Sequence, residues 1–143
     1  MTKEHPYMVT PQPGNESVKD GVIAMIESGT DMSTLFKHGF TGFFGGQIAG
    51  CGGLIEQWKG RAIAWTLIDL SVVGRMMIPL HKHVLRLIDS YQPSVFKRIE
   101  MTVDLGFNPG HRWARLLGFE KNCVLDHYGP DGRDHTLYSR VRL

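Results

Sequence analysis

The sequence predicts an α/β protein built on a mixed, mostly antiparallel sheet of six or seven strands, with one parallel pair and helices on both faces. Apolar residues recur at helical spacing over about residues 15–28 and again over about 76–91. Between these stretches, branched, aromatic and glycine residues dominate without a helical stripe, which is typical of strands. A further strand follows the second helix, and a strand-helix-strand crossover of this kind makes its two strands parallel.

The N-terminal part is predicted to be extended before it becomes helical. Residues 1–14 contain three prolines, which predicts an extended lead-in followed by one domain over 15–143. Asn15 or Ser17 can cap the first helix of this domain. A second short helix is predicted over residues 32–39.

Glycine turns and an unusual glycine content mark the strand-rich region. Strands are predicted at about 40–45, 47–57 and 61–70, joined by turns at Gly45-Gly46 and Lys59-Gly60. Six glycines lie between residues 42 and 53. They predict bulges, or a surface where something closely approaches the backbone; loop flexibility is the alternative.

In the C-terminal half, helical apolar spacing again alternates with patterns typical of strands. The predicted elements are a helix at about 76–91, a strand within 95–106, a helix from Asn108 or Pro109 to Leu117, and a hairpin of 122–128 and 135–141. The parallel pair then consists of the strands that end near Leu70 and Leu105. The opening beside the carboxyl ends of such a pair is the expected place for a ligand.

Composition and charge exclude several classes of function. The chain has 143 residues, 42% of them hydrophobic and 21% charged, as in an ordinary globular domain. We expect a cytoplasmic protein without a membrane partner, because no apolar run approaches the ~20 residues of a membrane span and the first residues lack a signal core. A net charge of +2 is too small to predict a nucleic-acid partner. Cys51 and Cys123 are expected to be small buried hydrophobic residues.

Histidines give no predicted metal site. His81 and His83 are two residues apart on a helix and therefore face different directions. His127 and His135 can approach each other across the hairpin but lack a third ligand. No metal is therefore expected.

The end of the chain, "RWARLLGFEKN" followed by "YGPDGRDHTLYSRV", resembles the GNAT superfamily of acyl-CoA-dependent N-acetyltransferases. Leu117 to Glu120 are similar to the family's junction between its last helix and the following strand, and the order of elements is also similar over about 15–142. Within the superfamily, the sequence looks most like the short GNAT-like proteins of tailed bacteriophages and prophages. The resemblance implies a GNAT-like fold.

The resemblance also implies acetyl-CoA as co-substrate. The pyrophosphate would meet backbone N–H groups at a helix start, and the pantetheine would pair with a strand whose neighbour has separated. The residues implied for this are Ile68, Leu70, Ser71, Val73, Gly74, Arg75, Met76 and Asn108. The chain departs from the family here: of the glycines in the usual phosphate loop only Gly74 is present, and Met76 is bulky where a small residue is expected.

The reaction implied is aminolysis of a thioester, in which a base takes the proton of the attacking amine. Asp69 and Asp104 are the candidate bases, with a turn cap or a surface charge as the alternative for each. Many family members carry a tyrosine that protonates the leaving thiolate, where this chain has Ala114. Tyr128 and His111 are candidate substitutes, although Tyr128 also fits a half-buried hairpin residue and His111 a solvated helix start.

Two functions remain open at this point. The first is an N-acetyltransferase that acts on a small-molecule or protein amine by direct attack. The second is a non-catalytic phage protein of the same fold that serves in the virion or in host interaction. Because short GNAT-like domains often pair, a homodimer is a further expectation.

Overall fold

The computed structural model describes residues 1–31, 33 and 36–143. The short helix predicted over 32–39 falls largely on or beside residues outside this set, and its last two residues, His38 and Gly39, begin the first strand. The lead-in is not extended throughout, because His5–Met8 form one helical turn with Pro6 near its start.

Nine of the eleven elements in the described residues follow the predicted order, with ends that differ from the prediction by a few residues; the other two, one helical turn in the lead-in and one after the third strand, were not predicted. The helices are α1 (His5–Met8), α2 (Glu16–Glu27), α3 (Leu70–Val73), α4 (Met77–Tyr91) and α5 (Asn108–Leu116). The strands are β1 (His38–Phe44), β2 (Gln47–Trp58), β3 (Arg61–Ile68), β4 (Arg98–Asp104), β5 (Glu120–Leu125) and β6 (His135–Val141). A 3-10 turn, Gly74–Met76, joins α3 to α4. Leu70 therefore opens a helix instead of ending a strand.

The six strands form one sheet in the order β1-β2-β3-β4-β6-β5. The pair β3–β4 is parallel and all other neighbours are antiparallel. α4 and α5 pack on one face through residues such as Ile88 and Ala114, and α2 packs on the other through Val18. This arrangement confirms the predicted fold class.

The glycines of β2 are explained by their neighbours in the sheet. A Cβ on Gly50 would lie 2.5 Å from the Leu67 carbonyl oxygen, and one on Gly52 would lie 2.6 Å from that of Trp65. A bulge also interrupts the β1–β2 register after Gly42. The close approach predicted from the glycines is therefore made by the backbone of an adjacent strand.

The junction between α5 and β5 is fixed by a Schellman motif. Gly118 has a φ of 86°, its N–H donates to the Arg115 carbonyl, and the Phe119 N–H donates to that of Ala114, both at 3.0 Å. Leu117 and Phe119 on either side are buried. The Leu-Gly-Phe sequence thus ends the helix and anchors the next strand in the core.

The two cysteines have different surroundings. Cys51 is buried as predicted, and burial raises the pKa of its thiol to about 12. Cys123 is exposed, which contradicts the prediction, because it lies on the edge strand β5, whose residues are almost all exposed. None of the described helices is long and apolar enough to cross a membrane.

Candidate active site

The two parallel strands separate partway along their length. Their pairing covers Arg61↔Arg98, Ala62↔Ile99 and Ile63↔Glu100 and then stops. β3 continues to Ile68 along β2, while β4 continues to Asp104 along β6. A V-shaped gap therefore opens between residues 64–68 and 101–104.

Unpaired backbone groups line the β3 side of this gap. The Asp69 N–H donates to the Ala49 carbonyl at 2.9 Å. The odd-numbered residues along β3 therefore direct their backbone N–H and C=O groups toward β2. Because directions alternate along a strand, the amides of Ala64, Thr66 and Ile68 face the gap. A peptide-like chain lying in the gap could pair with them as an added strand.

A charge cluster holds the strands together at the point where they diverge. Glu100, on the last paired rung, accepts hydrogen bonds from Arg61 of β3 and from Arg98 of β4, the latter at 2.6 Å. Burial by itself raises a carboxyl pKa, but these two arginines outweigh it and leave the pKa of Glu100 below its ordinary value. We call these three residues the Glu100 clamp.

A cavity of about 510 Å³ passes through the sheet at the gap. Residues of α2 line it on one face and residues of α4 and α5 line it on the other, with the separated parts of β3 and β4 between them. Met76 is 39% exposed and is not among the lining residues, so it does not plug the gap. On the α4 side, the Trp113 indole N–H donates to His81 Nδ1 at 3.0 Å and joins α5 to α4.

The loop predicted to bind phosphate is mostly helical. Gly74 has a φ of 51° and a ψ of −120°, a combination that favours glycine, and no atom lies within 4 Å of where a Cβ would stand. Ser71, Arg75 and Met76 are exposed beside it, Val73 is buried, and Leu70 is 45% exposed. Asn108 is exposed at the start of α5.

Asp69 occupies the start of α3. Its carboxylate accepts hydrogen bonds from the hydroxyl and from the N–H of Ser71, the latter at 3.0 Å. The Ser71 hydroxyl is the main reason why the pKa of Asp69 lies below its ordinary value. These contacts agree with the alternative interpretation from the sequence, in which Asp69 is a cap.

Asp104 stands at the end of β4 and is almost fully buried. Arg133 binds it through two hydrogen bonds, Nε to Oδ2 at 2.7 Å and Nη2 to Oδ1 at 3.0 Å, and the Gly106 N–H donates to it as well. Neither Asp69 nor Asp104 is among the residues that line the cavity. Their assignment as bases stays a prediction.

The two candidate proton donors differ in their surroundings. Tyr128 lines the cavity, is 50% exposed, and its ring centroid lies 5.5 Å from that of His135. His111 is held by the Tyr138 hydroxyl at 2.7 Å and the Leu105 carbonyl at 2.9 Å. Only Tyr128 of these two lines the cavity.

The sequence prediction missed a polar group on the α2 face. His135 is 3% exposed, with its Nε2 3.2 Å from the Ser17 hydroxyl and its Nδ1 3.3 Å from the Thr102 hydroxyl. Burial lowers the pKa of His135 below its ordinary value, and Asp104 opposes this effect without reversing it. Alternation along β6 could have placed His135 on this face, but no local pattern links it to Ser17 on α2.

The strand order, the splayed parallel pair and the flanking helices define the fold of the GNAT acetyltransferases. A scan against models of protein families found no match to the sequence, and a search of the curated proteins found none either.

Solved acetyltransferases share the fold at low sequence identity. The ribosomal L7/L12 alpha-N-protein acetyltransferase RimL, solved in complex with coenzyme A, aligns with 98% of this chain and 82% of its own, with 13% identity and a TM-score of 0.65. The microcin C7 self-immunity acetyltransferase MccE, solved with acetyl-CoA and AMP, aligns with 97% of this chain and 80% of its own, with 19% identity and a TM-score of 0.63. Ard1 from Thermoplasma volcanium aligns with 90% of this chain and 93% of its own, with 15% identity and a TM-score of 0.64. At these identities the similarity establishes the fold.

Proposed function

We propose that this protein is an N-acetyltransferase that uses acetyl-CoA and transfers the acetyl group to an amine by direct attack. The observation that carries the proposal is the gap between β3 and β4, which combines unpaired amides with a cavity through the sheet. The pantetheine arm contains two amides, and strand-like pairing with Ala64, Thr66 and Ile68 would satisfy them. The similarity in fold to structures solved with coenzyme A or acetyl-CoA supports the same ligand.

The remaining parts of the ligand would lie near the α3–α4 turn. Gly74 leaves open space there, and the next residue in the sequence, Arg75, is basic and exposed. Phosphate groups would be stabilised by N–H groups at the start of α4, although Pro79 removes one donor from its first turn. We also propose that the other residues predicted from the sequence contribute to ligand binding. These residues, whose surroundings are described above, are Leu70, Ser71, Val73, Met76 and Asn108.

For the chemical step, Asp69 or Asp104 would assist deprotonation of the amine and Tyr128 would protonate the thiolate. Both aspartates stand at the ends of the separated strands, which supports them, while their engagement by Ser71 and Arg133 weighs against them. Rates of thiol release in Asp69→Asn and Asp104→Asn show which of the two aspartates, if either, is the base. Full rates in both variants would mean that neither aspartate is the base.

Binding of acetyl-CoA tests the proposal directly. A ligand present at ten times its Kd stabilises the native state by about 1.4 kcal/mol, which for this size raises the Tm by about 3–6 °C. Thr66→Trp should abolish the shift by filling the gap, whereas Gln57→Trp, exposed on β2 away from the cavity, should keep it. Calorimetry that finds no binding of acetyl-CoA at about millimolar concentration would refute the proposal.

A second candidate is favoured by one observation. The Asp69 carboxylate caps α3, in the segment that leads to the proposed phosphate position at the start of α4, and its negative charge would disfavour an anion nearby. This favours a protein of GNAT fold without catalysis, and the resemblance to short phage and prophage proteins extends the proposal to a virion or host-interaction role. A cytoplasmic location and a homodimer belong to the same set of proposals. Absence of acetyl-CoA binding together with stable association in sedimentation would favour this candidate.

A further inference from the structure

The part of the cavity on the α2 face has a lining that restricts which amine it can accept. Among the described residues that line the cavity, none is Asp, Glu, Lys or Arg. The α2 face contributes Val18, Val22, Met25, Trp65 and Tyr128. A polycationic acceptor would therefore place ammonium groups in an apolar space without carboxylates, which is unfavourable.

One polar donor in this lining lacks a partner. The indole N–H of Trp65 is buried and has no acceptor among the described residues. Buried N–H groups are nearly always paired in folded proteins. A neutral oxygen on a bound molecule would supply the missing acceptor once the side chains that cover this N–H move aside.

Two polar residues on the same face, His135 and Ser17, are placed to accept a proton. His135 and Ser17 both line the cavity, and Ser17 Oγ lies 3.2 Å from His135 Nε2. With Nε2 as acceptor, Nδ1 carries the proton and can donate to the Thr102 hydroxyl at 3.3 Å. The buried Gly129 lies close to the ring, since a Cβ there would lie 3.0 Å from Nε2.

We propose that His135, in place of Asp69 or Asp104, receives the proton of the acceptor amine through the Ser17 hydroxyl, and that the acceptor is an amine on an apolar body with a neutral oxygen. The inference rests on the proposed function. In the step, the amine nitrogen forms a bond to the thioester carbonyl carbon and the carbon–sulfur bond breaks. The N–H proton passes to Ser17 Oγ while the Ser17 proton passes to His135 Nε2. The thiolate leaves with the electron pair and takes a proton from Tyr128, which regains one from solvent, and the imidazolium later loses its proton to solvent.

Burial is the main reason why the ring of His135 favours its neutral form. Asp104 on β4 and Asp131 and Asp134 in the preceding turn favour the charged imidazolium, whereas burial and Arg133 disfavour it, and α2 presents the neutral Ser17. The balance leaves the pKa of His135 below its ordinary value, so the ring is a free base at neutral pH.

The experiment uses the full chain with acetyl-CoA and two amines, 2-(4-methoxyphenyl)ethylamine and spermidine. Thiol release should favour the aromatic amine by at least about tenfold in kcat/KM. His135→Gln should lower kcat by about 10²- to 10⁴-fold while the Kd for acetyl-CoA stays within about twofold. The matched control is His127→Gln, because His127 is exposed in the turn before β6 and is not among the residues that line the cavity, and this variant should keep the wild-type rate.

Two further readouts distinguish proton transfer from a structural role. The acid limb of the wild-type kcat/KM profile should disappear in His135→Gln, and imidazole in solution should restore part of the rate of His135→Ala. If these variants do not fold, Ser17→Ala and the wild-type pH profile decide, since loss of the relay should lower kcat without changing the acetyl-CoA Kd.

The outcomes separate this inference from the proposed function. No binding of acetyl-CoA to the wild-type chain ends both. Binding with unchanged rates in His135→Gln and Ser17→Ala overturns the inference and leaves the proposed function standing. A preference for spermidine, or binding of acetyl-CoA without any transfer to the aromatic amine, overturns the assignment of the acceptor.

Discussion

The Glu100 clamp lies where the two parallel strands begin to separate, and Glu100→Gln tests how much the clamp stabilises the fold. The variant keeps the shape of the side chain but removes its charge, and leaves Arg61 and Arg98 without a counterion. Two hydrogen bonds to a charged acceptor contribute about 1.5 kcal/mol each or more, and the amide oxygen retains part of this. The side chains of Arg61 and Arg98 are 22% and 38% exposed, so water compensates part of the remaining loss. We expect a loss of about 2 kcal/mol in the free energy of unfolding, below the 3–5 kcal/mol typical of fully buried pairs.

Urea and thermal unfolding measure this loss, which corresponds to a Tm lower by about 4–8 °C. Glu56→Gln is the matched control, because the Glu56–Lys37 pair spans 3.8 Å with side chains 37% and 64% exposed. Its loss should not exceed about 0.5 kcal/mol.

The pH dependence gives a second check on the clamp. The folded pKa of Glu100 is lowered, so its contribution is complete above the ordinary value of 4.5 and is lost as the pH falls through the folded value. The stability difference between wild type and Glu100→Gln should therefore narrow below about pH 4.5. A difference under about 0.5 kcal/mol at pH 7, or one of equal size at pH 7 and pH 3, would refute the reasoning.

Three other predictions follow from packing and titration. Gly50→Ala should lower the free energy of unfolding by about 2 kcal/mol or more, because the new Cβ meets the Leu67 carbonyl. Gly21→Ala in α2, which has open space around it, should instead raise the free energy of unfolding by about 0.5–1 kcal/mol. Equal effects of the two substitutions in urea unfolding would contradict this. A thiol reagent at pH 8 should modify one cysteine in the native chain, Cys123, and both in urea, as counted by mass spectrometry; rapid modification of Cys51 in the native state would show that its burial is wrong. Because the folded pKa of His135 is lowered, its contribution to stability is complete above about pH 6.5 and declines as the pH falls through the folded value; unfolding curves of His135→Gln should lack this decline, and an identical pH dependence in both proteins would contradict it.

The sequence by itself determined the order and type of the main elements. Their signals are local: a 3.6-residue apolar period in α4, alternation in β4 and glycine at the turns all lie within a few residues of one another. Gly118 is an example, since its positive φ and the two hydrogen bonds around it involve only neighbours in the chain. The parallel pair could also be predicted, because a crossover helix leaves no other direction for the second strand.

Only the tertiary structure decided where the two parallel strands part and which side chains meet at the gap. The Glu100 clamp joins residues of two strands, Asp104 is neutralised by Arg133 from a distant turn, and His135 meets Ser17 from the other end of the chain. Periodicity predicts the face on which a side chain lies, but not its partner across that face. The partner depends on strand register and on how α2 sits against the sheet, and both are set by packing of the whole chain.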